Sequence, residues 1–276
     1  MIISQLLREG AFRLSPRLDA SLCSRVLLAF VLGISQESLV ARSSDVVIDE
    51  NEQRFFTLIE RCFSGIPLAY LVQRKEFYGL DFYVDERVLI PRPETELLVD
   101  EVLKVSEKAS CIADIGTGSG CIAVSLASKL PLVHFLAVDI SPDALEVARR
   151  NISSYQFIDQ IQLFQSDLLN SICDREIDIV VANLPYIGED QFRFLDSEVE
   201  KNEPHVALFG GHDGLQLYKK LFQQILVMPY QPQYLLGEFG FGQADELRLL
   251  LNQFFDQKWS IVLDGAGIER IFVVKL

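Results

Sequence analysis

The N-terminal seventy or so residues carry their apolar side chains at helical spacing. One predicted helix covers residues 19–32, and Gly33 follows it where a C-terminal glycine cap belongs. A second predicted helix covers residues 51–64 and ends at Gly65. Because no strand-like alternation separates these segments, the simplest prediction is a small helical domain over residues 1–74.

The pattern changes after this helical segment. Residues 76–84 have the composition of two short strands around Gly79, which predicts a hairpin linker over residues 75–92. Pro93 is expected to open a helix, since its fixed backbone angle suits the first helical position. Glu94 in the first turn favours the positive end of that helix.

From residue 111 onward, short apolar segments alternate with amphipathic ones. The predicted strands are 111–115, 133–138, 161–165, 177–182, 234–239, 259–263 and 271–274. The predicted helices are 120–129, 142–153 and 214–227. Such alternation predicts an α/β domain over residues 93–276, with a mostly parallel sheet covered on both faces. The last two strands are joined by a short glycine turn and are expected to be antiparallel.

Composition and charge narrow the functional classes. The chain has 276 residues, 49% hydrophobic and 23% charged, which is typical of a folded globular protein. Its net charge of −14 opposes stable, sequence-independent binding of nucleic acid. The first 44 residues carry five arginines against three acids, a charge of +2, so the remainder carries −16. Without a membrane-length apolar run, a signal peptide or metal-ligand spacing, a cytoplasmic protein with no metal ion and no membrane partner is expected.

A glycine-rich loop follows the first predicted strand of the α/β domain. A phosphate-binding P-loop requires Lys after the last glycine, and Cys121 stands there instead. A dinucleotide fingerprint would place its third glycine one position later than Gly120. The tight spacing therefore favours S-adenosylmethionine. The expected cofactor contacts in this loop are Asp114, Gly116, Thr117, Gly118, Ser119 and Gly120.

Three residues at the ends of later strands extend this predicted cofactor site. Asp139 ends the second strand, where an acid accepts hydrogen bonds from ribose hydroxyls. The alternative for Asp139 is a helix cap before Ser141. Asp167 is expected to accept from the adenine amino group, and Leu168 to contact the adenine ring.

The sequence Asn183-Leu184-Pro185-Tyr186 directly follows the fourth predicted strand. An amide or aromatic amine nitrogen is a poor nucleophile, so two acceptors that grip its N–H groups can aim it at the cofactor methyl. We expect the Asn183 side-chain oxygen, which also lies near the cofactor, and the Leu184 carbonyl to be these acceptors. Pro185 stiffens the turn and Tyr186 stacks on the planar group. Both acceptors stabilise the positive charge that develops on nitrogen. The alternative is an ordinary polar turn.

Several further motifs match one known family. They stand at 17–20, 65–71, 76–80, 89–96, 114–120, 183–186, 203–204, 207–208, 210–211, 213–215 and 238–240. With these motifs the chain resembles the HemK-type peptide chain release factor glutamine methyltransferases over essentially its whole length. The family usually has Asn-Pro-Pro-Tyr, and Leu184 replaces the first proline. Because that position acts through its backbone carbonyl, the substitution is expected to keep the grip and lose some stiffness.

The resemblance implies a fold, a cofactor and a substrate. The fold is a Rossmann-like class I S-adenosylmethionine methyltransferase sheet, mostly parallel with an antiparallel C-terminal strand, behind a small N-terminal helical domain. The reaction implied is methylation of the glutamine side-chain nitrogen (N5) in the Gly-Gly-Gln (GGQ) motif of release factors, which supports translation termination. S-adenosyl-L-methionine is consumed and S-adenosyl-L-homocysteine released. The helical domain is expected to help dock the release factor.

Two other functions remain open from the residues. An N6-adenine methyltransferase acting on DNA or RNA would use the same grip on an amine, although the acidic main domain opposes strand binding. A non-catalytic binding partner would explain Leu184 as decay. The intact loop, Asp139, Asn183 and Tyr186 argue against that second alternative.

Overall fold

The computed structural model describes residues 1–15, 17–189, 197–256 and 258–276. The chain forms two compact units. The first comprises Met1–Arg74 and the short helix Ser197–Asn202, and the second comprises the described residues of Lys75–Leu195 and Glu203–Leu276. In this described part, no helix is long and apolar enough to cross a membrane.

The first unit is built from helices. They are α1 (Ile3–Arg13), α2 (Ala20–Leu32), α3 (Gln36–Ala41), α4 (Asp49–Phe63), α5 (Leu68–Val72) and α9 (Ser197–Asn202). The helices predicted over 19–32 and 51–64 are confirmed, with ends that differ by one or two residues. Residue 10 lies within α1 and is a glycine because a Cβ there would stand only 2.6 Å from the Phe55 ring and from Ser24 Oγ.

The second unit begins with a hairpin, β1 (Lys75–Phe77) and β2 (Leu80–Phe82). Gly79 has a φ of +73° in its turn. Phe77 and Phe82 are buried in the core of the second unit. The segment 75–92 that the sequence analysis treats as a linker thus lies within this unit.

A seven-stranded sheet forms the centre of the second unit. Its strands are β3 (Cys111–Ile115), β4 (His134–Asp139), β5 (Ile161–Gln165), β6 (Ile179–Ala182), β7 (Tyr234–Glu238), β8 (Trp259–Leu263) and β9 (Glu269–Lys275). The strand order is β5-β4-β3-β6-β7-β9-β8. The strands β3 to β7 are mutually parallel, and β9 is antiparallel to both β7 and β8. The predicted fold class is confirmed.

Helices and two hydrophobic clusters cover the faces of the sheet. The helices are α6 (Glu96–Val105), α7 (Cys121–Lys129), α8 (Pro142–Ser154), α10 (Gln216–Val227) and α11 (Ala244–Phe255). The helix expected to open at Pro93 starts as a 3₁₀ turn over Pro93–Thr95, with Thr95 buried. The helix α11 was not predicted, although its buried apolar residues are helically spaced.

The order of the strands places the predicted site residues on one edge. Because β3 has β4 on one side and β6 on the other, the chain reverses its direction of winding at this point. In open α/β sheets such a reversal leaves a crevice beyond the carboxyl ends of the strands. The glycine loop, Asp139 and Asn183 follow or end three of these strands, so the topology gathers them at this crevice.

Candidate active site

A cavity of about 430 Å³ opens at this edge of the sheet. Eight of the predicted site residues line it: Gly116, Gly118, Asp139, Asp167, Leu168, Asn183, Leu184 and Pro185. The other predicted residues, Asp114, Thr117, Ser119, Gly120 and Tyr186, are absent from its lining. The lining is mostly apolar with a few acidic and amide groups, the composition of a small-molecule pocket.

The glycine loop folds back on the end of β4. Gly116, Gly118 and Gly120 all have positive φ angles, of 75°, 54° and 80°, which side chains other than glycine rarely adopt. The backbone N–H of Gly118 donates to Asp139 Oδ2 at 2.9 Å, and the Ser141 N–H donates to Oδ1 at 2.9 Å. These bonds fix the Asp139 carboxylate at the wall of the cavity.

The sequence left two roles open for Asp139: an acceptor for ribose hydroxyls, or a helix cap before Ser141. The N-cap of α8 is Ser141, whose hydroxyl accepts from the Ala144 N–H at 3.2 Å. Asp139 instead lines the cavity. Its burial raises the pKa of the carboxyl, and the N–H groups of Ser141 and Gly118 lower it in part.

Asp114 supports the loop from inside the protein. Its carboxylate accepts from the Thr117 hydroxyl at 2.7 Å and from the Ala123 N–H at 3.3 Å. The side chain is fully buried, its Oδ1 has no hydrogen-bond partner, and burial raises its pKa to about 7. Ser119 is likewise held from below, since its carbonyl accepts from Asn151 Nδ2 at 2.8 Å. These residues hold the shape of the loop rather than face the cavity.

The turn after β5 is held by α10. The Asp167 carboxylate forms an ion pair with Lys220, and the Leu169 N–H donates to Gln224 Oε1 at 2.9 Å. Leu168 has a φ of +53°, a conformation that a leucine adopts only under tertiary constraint. Leu168 and Asp167 both line the cavity.

The Asn183 side chain has a defined orientation. Its Nδ2 donates to Thr95 Oγ1 at 3.0 Å and to Glu238 Oε2 at 3.1 Å. The Thr95 hydroxyl donates its own hydrogen to Glu238 Oε2 at 2.7 Å, which leaves its oxygen free to accept. Since both partners of Nδ2 are acceptors, the Asn183 amide oxygen is the atom that remains for the cavity.

Thr95 and Glu238 are functional candidates that the sequence analysis missed. Glu238 ends β7, next to β6 in the sheet, and is 2% exposed. Burial raises the pKa of its carboxyl, and hydrogen bonds from Thr95 and Tyr186 oppose that rise. The sequence does contain one indication of Glu238, because this acid lies near the end of the predicted apolar strand 234–239.

The rest of the motif is packed against the protein. Leu184 is buried, and its Cδ2 lies 3.2 Å from the position a Cβ would take at Gly116. The Tyr186 hydroxyl donates to Glu238 Oε1 at 3.4 Å, and the Tyr186 carbonyl accepts from Gln243 Nε2 at 2.8 Å. Burial raises the pKa of Tyr186, so it stays a neutral donor. Tyr186 therefore contacts Glu238, the residue that holds Asn183. Its stacking on the substrate stays a prediction.

Comparisons with known proteins agree with this architecture. The methyltransferase small domain matches residues 93–197, and the PrmC N-terminal domain matches residues 5–72. A release factor glutamine methyltransferase of Koribacter versatilis is 37% identical over 96% of this chain and 93% of its own length. One of Dictyoglomus turgidum is 39% identical over 93% and 91%. Among solved structures, the hMettl16 catalytic domain in complex with a MAT2A 3′UTR hairpin has a TM-score of 0.58 at 17% identity, covering 84% of each chain, a likeness of fold alone.

Proposed function

The chain belongs to the release factor glutamine methyltransferase family, and from that premise we propose that it methylates the side-chain amide nitrogen (N5) of the glutamine in the GGQ motif of a peptide chain release factor. The observation that carries the proposal is the fixed orientation of Asn183. Asn183 lines the cavity at the end of the sheet, and because its Nδ2 is bonded to Thr95 and Glu238, its amide oxygen is left as an acceptor for a substrate N–H.

The cavity residues fit S-adenosylmethionine, the cofactor that the family and fold imply. Gly116 and Gly118 let the loop backbone approach the methionine end, because neither carries a Cβ. Asp139 faces the cavity as an acceptor for ribose hydroxyls. Leu168 supplies an apolar contact for the adenine ring, and Asp167 an acceptor for its amino group. When bound, S-adenosylmethionine supplies an electrophilic methyl group on a sulfonium sulfur.

Asn183 and Leu184 position the nucleophile. The Asn183 Oδ1 and the Leu184 carbonyl accept one N–H each from the glutamine amide, so its nitrogen is presented in one orientation. As the nitrogen gains positive charge, its N–H groups become stronger donors and both acceptors bind the transition state more tightly than the ground state. The Glu238 carboxyl behind Asn183 accepts from the Asn183 Nδ2 and so keeps the amide oxygen in this orientation.

The helical unit is proposed to recognise the release factor. Residues 5–72 match a domain named for this family, and the first 44 residues carry positive charge on an otherwise acidic chain. A protein substrate offers far more surface than its methylated glutamine, so a second contact region raises affinity without changing the chemistry.

The proposal is tested by methyl transfer from radiolabelled S-adenosylmethionine to purified release factors, with mass mapping of the modified residue. We expect one label on the GGQ glutamine, and none on a release factor with that glutamine replaced by alanine. Label on an oligonucleotide but on no release factor would overturn the proposal in favour of the adenine alternative. Calorimetry of the same sample tests the second alternative, because a non-catalytic binding partner that has lost its cofactor site would bind no S-adenosylmethionine.

A further inference from the structure

Leu184 introduces a backbone N–H that a proline at this place would lack. This N–H is buried, and it needs an acceptor because an unpaired buried N–H is costly. The acceptor is the hydroxyl of Tyr218, on α10, with 3.5 Å between the Leu184 nitrogen and the hydroxyl oxygen. The backbone N–H that Leu184 carries, and that a proline would lack, thus has a specific partner.

The Tyr218 hydroxyl is itself anchored to the ends of two strands. It donates to the backbone carbonyl of Glu238, the last residue of β7, and lies 3.1 Å from the carbonyl oxygen of Ala182, the last residue of β6. A phenol has one hydrogen to donate and lone pairs to accept, so it serves a carbonyl and the Leu184 N–H at once. Tyr218 is fully buried, and Phe272 packs edge-on against its ring with centroids 5.1 Å apart.

We propose that Tyr218 is a positioning residue for methyl transfer, whose hydroxyl holds the Asn183–Leu184 peptide in place of the rigidity that proline would supply. A proline ring would fix the φ angle of residue 184, the rotation about its N–Cα bond. The hydrogen bond from the Leu184 N–H to Tyr218 instead holds the peptide group between Asn183 and Leu184. In both cases the carbonyl of residue 184 and the Asn183 side chain keep a fixed relation. This inference rests on the proposed function, since the position of the Leu184 carbonyl affects methyl transfer only if that carbonyl accepts from the substrate amide.

The test is a double-variant cycle with Tyr218→Phe and Leu184→Pro. Each protein is assayed for kcat and KM with a release factor, for cofactor affinity by calorimetry and for Tm. In the otherwise wild-type protein, Tyr218→Phe is expected to lower kcat about three- to tenfold, the worth of one neutral hydrogen bond, with cofactor affinity unchanged. In the Leu184→Pro background the same change is expected to cost less than about twofold, because no N–H remains to be held.

Tyr155→Phe is the matched control. The Tyr155 hydroxyl also bonds a backbone N–H and a carbonyl, both of Asp81, at 2.7 and 2.8 Å. Tyr155 is absent from the cavity lining. Its loss is expected to lower Tm with the same small effect on kcat in both backgrounds. An equal loss of kcat from Tyr218→Phe in both backgrounds would overturn the proposal and leave Tyr218 a core residue.

Amide hydrogen exchange tests the same bond without activity. In protein labelled with ¹⁵N-leucine, Tyr218→Phe is expected to speed exchange at Leu184 at least about tenfold more than at Leu236, in the middle of β7. Equal acceleration at both amides would refute the bond. A wild-type protein that failed to methylate release factors would refute the proposed function but leave this exchange result readable, so the two failures are distinguishable.

Discussion

Glu238 is a buried acid that is absent from the cavity lining and bonds Asn183, which lines the cavity. The amide of Asn183 can rotate by 180°, which would exchange its oxygen for a nitrogen at the cavity. Glu238 Oε2, at 3.1 Å from Nδ2, opposes that rotation because it would face an amide oxygen instead of a donor. Replacing Glu238 therefore changes the orientation of the proposed acceptor, the Asn183 amide oxygen, without altering Asn183 itself.

The magnitude follows from the type of hydrogen bond. A bond to a charged group contributes about 1.5–3 kcal/mol and a neutral one about 0.5–1.5 kcal/mol. Glu238→Gln keeps a neutral acceptor of the same shape, so a loss of about 1 kcal/mol, or about fivefold in kcat, is expected. Glu238→Ala removes the acceptor for both Asn183 and Thr95. Its kcat is expected to fall at least about thirtyfold, with the release factor KM changed less.

The assay is steady-state methylation of a release factor at saturating cofactor, with cofactor affinity measured by calorimetry. Glu101→Gln is the matched control, because Glu101 is another buried acid of the same unit, which pairs with Lys104 at 2.5 Å and is absent from the cavity lining. It should keep the wild-type kcat. Wild-type kcat in both Glu238 variants would refute the view that Asn183 is oriented by this carboxylate.

Three further outcomes are expected. Asn183→Ala should lose nearly all turnover while calorimetry still detects cofactor binding, and near-normal turnover would contradict its role as acceptor. Since the ionised carboxylate of Glu238 is the stronger acceptor for Thr95 and Asn183 and burial raises its pKa, kcat should fall on acidification at a pH above the ordinary glutamate range. Glu238→Gln should remove that fall, whereas an unchanged profile would assign it to another group. Asp114 has its pKa raised from 3.8 to about 7, so the folded protein holds this proton more tightly than the unfolded chain. The free energy of unfolding should therefore decrease as pH rises through that window, and urea titrations of Asp114→Asn should show a smaller decrease.

Much of the fold could be predicted from local patterns. Strands 111–115, 161–165 and 259–263 have the predicted bounds, because each is an apolar segment between turn residues. The helix α1 was not predicted individually, and Gly10 lowers the helical propensity of its segment. That glycine is required by the close approach of Phe55, a contact between distant parts of the chain.

The site was predictable where its residues stand in a recognisable motif at the carboxyl end of a predicted strand. Asn183 and Asp139 stand out because each follows or ends a strand, and parallel strands bring their carboxyl ends together. The partners of Asn183 are Thr95 and Glu238, which lie 88 and 55 residues away. No periodicity links them, so their roles required the coordinates. The bond from the Tyr186 hydroxyl to Glu238 also joins distant parts of the chain and required the coordinates.

Thr95, Asn183 and Glu238 form one hydrogen-bonded unit, and this has a consequence for combined variants. Thr95→Val removes one of the two acceptors of Nδ2 and should cost about 1 kcal/mol, close to the cost of Glu238→Gln. If both residues acted separately, the double variant would lose about twenty-five-fold in kcat. Because the Thr95 hydroxyl is itself oriented by Glu238 at 2.7 Å, weakening that acceptor already weakens the Thr95 contact. The double variant is therefore expected to lose clearly less than the product of the single losses, and full multiplicativity would show that the two residues support Asn183 independently.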